Sequence, residues 1–309
     1  MDKNSPLNEM INFEEHLKSD SRNFWWYKDF KELLKKRATL ETAHKVLDVG
    51  CGLGHWTREM SSLVASDAEM VGVDIEEKWI KQAIILTSDF KEREVRFSFQ
   101  TAAAYDLPFS DETFDLVTCQ TLLMHLGDPQ KAISEMMRVL KKTGKIILVE
   151  PNNYAHLIRS NTAQSQLTLE EEMDIVKFYA MIEDGKRKLG EGDLGICRFL
   201  PKFLKEVGCN NIQFYRNDKA FWLQPPYETD EQKSAMQFML SIIEKGYFYI
   251  FPPDAAKRFF DVVSSDQILF KKLCTSSQKL NEFYCQTIRD KTLEGTMGFE
   301  MFIAIGEKA

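Results

Sequence analysis

Three glycines at alternate positions, Gly50, Gly52 and Gly54, close the run Val46-Leu47-Asp48-Val49-Gly50-Cys51-Gly52-Leu53-Gly54-His55-Trp56. An aliphatic and β-branched run, then such a loop, then a helical pattern brings bare backbone close to a ligand, because glycine tolerates the turn and carries no Cβ. Twenty residues after Gly54, Asp74 ends a second apolar run, Met70–Asp74. A carboxylate there can accept hydrogen bonds from both hydroxyls of a ribose. Asp48 lies inside the first strand, two residues before the first glycine. A carboxylate in that place is costly unless paired, so it either meets a cationic ligand or caps the loop. The dinucleotide fingerprint G-x-G-x-x-G/A asks for a small residue at position 55, where His55 stands, and no Gly-Lys-Ser/Thr follows to make a phosphate-binding P-loop.

A second group lies around Cys119-Gln120-Thr121, at the end of the fourth strand-like run. In an open α/β sheet, ligands bind where the strand order reverses, between the edges of strands 1 and 4. Cys51 and Cys119 read as small residues beside that site, since no base accompanies either. His125 either acts as a base or packs at the start of the next helix. The knot Phe24-Trp25-Trp26-Tyr27 either caps the site and meets a cation with its ring faces or anchors a helix. Tyr247, Phe248, Tyr249 and Phe251 line an apolar pocket or pack a core.

The elements that position these residues alternate. Strands are expected at Lys45–Gly50, Met70–Asp74, Val95–Gln100, Phe114–Cys119 and Lys145–Glu150. Helices are expected at Trp56–Ala65, Lys78–Leu86 and Pro129–Lys141, the last ended by Gly144. Strands spaced by helical patterns imply βαβ units and a parallel sheet. Residues 152–190 are polar and helical. A helix at Arg198–Gly208 and a strand at Ile212–Arg216 follow, then the breaker Gln224-Pro225-Pro226-Tyr227, a long helical stretch, and a final strand at Met297–Gly306.

The pattern Asp48-x-Gly50-x-Gly52-x-Gly54 resembles motif I of the class I S-adenosylmethionine-dependent methyltransferases. The likeness covers residues 45–151 well and 198–216 and 297–306 fairly. It is absent from the N-terminal segment and most of 223–295. It implies an α/β fold with a doubly wound, mostly parallel, seven-stranded Rossmann-like sheet, its last strand inserted antiparallel between the fifth and sixth. The expected divisions are an N-terminal helical lid (1–44), a cofactor-binding domain (45–222 with 296–309) and a helical insertion serving as substrate lid (223–295). The resemblance implies S-adenosyl-L-methionine as cofactor. Asp48 would then serve its methionine end, Gly50, Gly52 and Gly54 the loop beneath it, and Asp74 its ribose. Ile75 would pack on the adenine face and Gln120 would lie under the methionine portion. Residues 100–109, including Leu107-Pro108-Phe109, match the family's segment after strand 3. Many relatives carry an Asp or Asn there for the adenine amino group. Ala103 stands at that place, so backbone groups of Ala104 or Tyr105 would take over.

The chain has 309 residues, 44% hydrophobic and 12% aromatic, enough to bury a core. The net charge of −7 argues against a nucleic-acid surface, and the one compact basic run, Lys186-Arg187-Lys188, reads as a solvated stretch. Six cysteines without a C-x-x-C, a polar start and no apolar run of about 18 residues lead to the expectation of a reduced, cytoplasmic protein without a membrane span or metal site. The leading expectation is methyl transfer to a small-molecule acceptor by in-line displacement. Two readings compete with it: an NAD(P)-dependent oxidoreductase, and a non-catalytic module that keeps the fold.

Overall fold

Apolar runs followed by amphipathic helices build one seven-stranded sheet. The computed structural model describes residue 22 and residues 24–88, 90, 94–155, 157–158, 160–248, 250–296 and 300–309. In chain order the elements are α1 (Lys28–Ala38), β1 (Lys45–Val49), α2 (His55–Ser61), β2 (Glu69–Asp74), α3 (Glu77–Ser88), β3 (Arg96–Thr101), β4 (Phe114–Gln120), α4 (Pro129–Val139) and β5 (Leu140–Pro151). Then come α5 (Leu169–Lys188), α6 (Leu200–Glu206), β6 (Cys209–Arg216), α7 (Asp230–Glu244), α8 (Pro253–Val263), α9 (Gln267–Arg289) and β7 (Met301–Lys308).

The sheet order is β3-β2-β1-β4-β5-β7-β6. Strands β1 to β5 pair in parallel, and β7 runs antiparallel to both β5 and β6. This is the topology the sequence implied. β1 is central, and its Val46, Leu47, Asp48 and Val49 are all buried, as expected for a strand covered on both faces. On one face Leu47, Val49, Val117, Cys119, Ile146 and Leu148 pack with Ile133 and Met136 of α4 and Leu200 and Leu204 of α6. α4 forms because its apolar residues recur at helical spacing, Pro129 opens the first turn, and Asp128 accepts the Lys131 N–H at 3.0 Å.

The chain divides into two compact units. One comprises the described residues of Trp26–Asn152, Leu194–Asp218 and Glu300–Ala309, and the other those of Asn153–Asp193 and Lys219–Phe299 together with Arg22, Phe24 and Trp25. This division differs from the expected boundaries. α1 belongs to the sheet unit, because Phe30, Leu34 and Ala38 bury one stripe and Trp26 stacks on Phe30 with ring centroids 5.8 Å apart. Residues 153–193, placed by sequence in the cofactor-binding domain, belong to the other unit.

That second unit has an aromatic core. Phe178 of α5 lies 5.2 Å from Phe248 and 5.7 Å from Phe270, and Phe251 lies 5.9 Å from Phe259. Phe248 and Phe251 are therefore core residues, while Tyr249 lies outside the described residues. α5 starts with a capping box, Thr168 and Glu171 exchanging hydrogen bonds with each other's backbone. Gly185 on α5 meets α8 closely, since a Cβ there would stand 1.9 Å from the Phe259 carbonyl oxygen.

Two further readings need correction. α4 ends at Val139, and Gly144 is not its stop. Leu140 already pairs with Phe114, the ladder then breaks, and it resumes at Lys145 with Leu116. Gly144 sits in that irregular stretch, where a Cβ would stand 3.0 Å from the Asp115 carbonyl oxygen. The basic run is not wholly solvated, because Lys186 is fully buried and donates to the Glu191 carbonyl. Burial lowers its pKa, and Glu183, Glu191 and Asp193 counter that only partly. Of the expected last strand, Met297–Phe299 lie outside the described residues, and β7 extends to Lys308.

Candidate functional site

The loop after β1 is tied to the end of β2 by consecutive amides. Gly50 and Cys51 donate to the Val73 carbonyl at 2.8 and 2.9 Å, and Gly52 donates to Asp74 Oδ2 at 2.9 Å. The other carboxylate oxygen of Asp74 accepts the Glu76 N–H at 3.0 Å. Gly50 and Gly52 have φ of 72° and 52°, values glycine adopts without cost and other residues seldom reach. At Gly50 a side chain would also collide with Leu122, whose Cδ1 stands 2.6 Å from the Cβ position. Gly54, also at positive φ, caps α2.

Asp74 is thus held in place by backbone at the C-terminal end of β2. Desolvation raises its pKa, while the N–H groups of Glu76 and Gly52 pull it back. Beside it Ile75 is 60% exposed. Ala102 donates to the Asp74 carbonyl at 2.9 Å, which brings the segment after β3 to the same edge. That segment turns at once, with Asp106 donating to the Ala103 carbonyl at 3.1 Å. Ala104 and Tyr105 occupy the turn, and the Tyr105 hydroxyl accepts the Asp128 N–H at 3.2 Å. Arg138 on α4 donates to the Leu107 and Phe109 carbonyls at 2.9 and 2.8 Å. Leu107-Pro108-Phe109 is therefore a buttress between segment and helix.

Asp48 and Gln120 lie on the central strands. Asp48 is buried and accepts the Thr57 hydroxyl at 2.6 Å from α2. Trp56, also on α2, donates its indole N–H to Thr118 of β4 at 3.0 Å, and Trp26 packs on it with centroids 5.4 Å apart. Gln120 ends β4 two residues beyond Thr118, on the same face of the strand. It is 4% exposed, and neither polar atom of its amide has a hydrogen-bond partner among the described residues. Cys51 and Cys119 are no thiolates. Burial raises both thiols well above the usual range, and the neighbouring carboxylates, Asp48 and Asp74 for Cys51 and Glu150 and Asp48 for Cys119, push the same way.

The site is therefore an edge with a glycine turn, an oriented carboxylate, an exposed isoleucine and a buried amide without hydrogen-bond partners among the described residues. Residues 40–191 match the family described as methyltransferase domain. Residues 40–191 carry a methyltransferase domain. In sequence this methyltransferase domain is similar to "Uncharacterized methyltransferase YcgJ" of Bacillus subtilis, 35% identical over 138 residues, covering 42% of this chain and 53% of that protein. It is also similar to the demethylmenaquinone methyltransferase of Staphylococcus saprophyticus, 31% identical over 144 residues, covering 47% and 55%. Both matches span only about half the length of the relative. In fold the chain resembles a structure titled a putative sarcosine dimethylglycine methyltransferase from Galdieria sulphuraria, with a TM-score of 0.52 at 14% identity, over 96% of this chain and 97% of that one.

Sequence reasoning missed Glu150, the penultimate residue of β5, which is completely buried. Its Oε1 accepts the N–H groups of Leu122 and Leu123 at 2.9 and 2.6 Å. A lone glutamate closing the apolar run Ile146–Val149 was the available signal. Among the described residues no group of His, Cys, Asp and Glu could hold a metal ion, and no helix is long and apolar enough to cross a membrane.

Proposed function

We propose that this chain transfers the methyl group of S-adenosylmethionine to a small-molecule acceptor by in-line displacement. Gln120 carries the reading. An amide buried without partners at the strand-order reversal between β4 and β1 is costly, and a ligand with polar groups relieves it. The cofactor fits the rest of the edge: Asp74 would hold the ribose, Ile75 the adenine face, and the turn at Gly50, Gly52 and Gly54 the approach to the backbone. Backbone of Ala104 or Tyr105 would serve the adenine edge. Asp48, linked to Thr57, adds negative charge for a cationic ligand. When bound, the cofactor supplies a methyl carbon already activated on a sulfonium, so the chain's main work is alignment. The methyltransferase-domain match favours this over the nicotinamide alternative.

A small-molecule acceptor is favoured by the acidic balance of the chain and by the name of the demethylmenaquinone relatives. The reading includes a cytoplasmic location and no nucleic-acid partner. The test is incubation of the full chain with methyl-labelled S-adenosylmethionine and a panel of small molecules, quinones and amines included. Label in one acceptor class is the expected result. Cofactor binding without transfer to any member would favour the non-catalytic alternative.

A further inference from the structure

Glu150 is not among the residues assigned to the cofactor, but it holds the segment that lies against the glycine turn. The chain leaves β4 with Thr121 at φ 55°, anchored by its N–H to the Val149 carbonyl at 2.9 Å. The next two amides, Leu122 and Leu123, both donate to Glu150 Oε1. Leu122 then lies against Gly50, filling the space that a Cβ would need. One side chain on β5 thus sets the position of the segment that backs the turn after β1. The acid does so while completely buried, with Oε2 lacking a hydrogen-bond partner among the described residues. That is an expensive residue to keep for packing alone.

We propose that Glu150 is a positioning residue for the cofactor site: by holding the Leu122 and Leu123 amides it seats Leu122 against Gly50 and fixes the glycine turn. The inference rests on the cofactor reading above. A neutral acid accepts both N–H groups through its carbonyl oxygen, and glutamine presents the same oxygen. Alanine leaves two N–H groups without an acceptor.

The test measures binding of S-adenosylhomocysteine by calorimetry, with amide hydrogen exchange, on the full chain and three variants. Glu150→Ala should raise Kd at least ~10-fold and speed exchange at Leu122 and Leu123. Glu150→Gln should stay within ~3-fold of the parent and keep those amides protected. Leu122→Ala should raise Kd without exposing them. The proposal is overturned if Glu150→Ala folds, loses the protection and binds as the parent does, or if Glu150→Gln is as defective as the alanine variant. If Glu150→Ala does not fold, Leu122→Ala decides, and an unchanged Kd there overturns it. A parent chain that binds no S-adenosylhomocysteine overturns the cofactor reading first, and this proposal with it.

Discussion

The backbone N–H of Gly52 donates to Oδ2 of Asp74 at 2.9 Å, so the turn after β1 and the carboxylate ending β2 fix each other. Asp74 therefore orients the turn, and in the proposed function its remaining lone pairs would meet the ribose. Asp74→Ala should weaken S-adenosylhomocysteine binding by about 1–3 kcal/mol, the range for losing charged hydrogen bonds. Equal dissociation constants for parent and variant would remove Asp74 from the ribose role.

Gly50→Val should abolish cofactor binding while the sheet persists. Valine is strained at φ 72°, and its Cβ would strike Leu122. Circular dichroism and calorimetry on one sample separate the two effects. Near-normal binding would mean that the turn only connects β1 to α2.

Burial pushes the Glu150 carboxyl up to about 8, against N–H groups of Leu123, Leu122 and Met124 that favour its charged form. Its ordinary value is 4.5, so between those values the folded chain holds a proton that the unfolded chain has lost. Stability from this group falls as pH rises through that window, by at most about 1.4 kcal/mol per pH unit, and levels off above it. Urea midpoints of the parent and Glu150→Gln across the window should differ in slope, the variant being flatter. Parallel slopes would show that Glu150 ionises normally in the fold.

Gly185→Ala should destabilise the chain by at least about 1–3 kcal/mol, although alanine is the better helix former. The cause is backbone, since the Phe259 carbonyl oxygen stands 1.9 Å from the Cβ position. A rise in thermal midpoint would show that α5 and α8 do not cross that closely.

Much of the sheet unit was legible in the sequence, because buried parallel strands announce themselves as apolar runs and amphipathic helices as periodic ones. The glycine turn and Asp74 were legible because few residue types can stand there. The end of α4 was misread, since a glycine after a helical stripe signals a stop equally well as a strand irregularity, and only the Phe114–Leu140 pairing tells them apart. Lys186 was misread because three basic residues in a row look solvated, while helix geometry points successive side chains about 100° apart. Glu150 was invisible because its meaning lies in the Leu122 and Leu123 amides, 27 and 28 residues away in the chain.

In the proposed function the edge formed by Gly50, Gly52, Asp74 and Gln120 binds S-adenosylmethionine. Calorimetric titration of the folded full chain with S-adenosylhomocysteine, and in parallel with NADH and NADPH, tests it most directly. Saturable one-site heat is expected with the first, lost in Gly50→Val, and none with the nicotinamide cofactors. No heat with S-adenosylhomocysteine, or saturable heat with a nicotinamide cofactor, would contradict it.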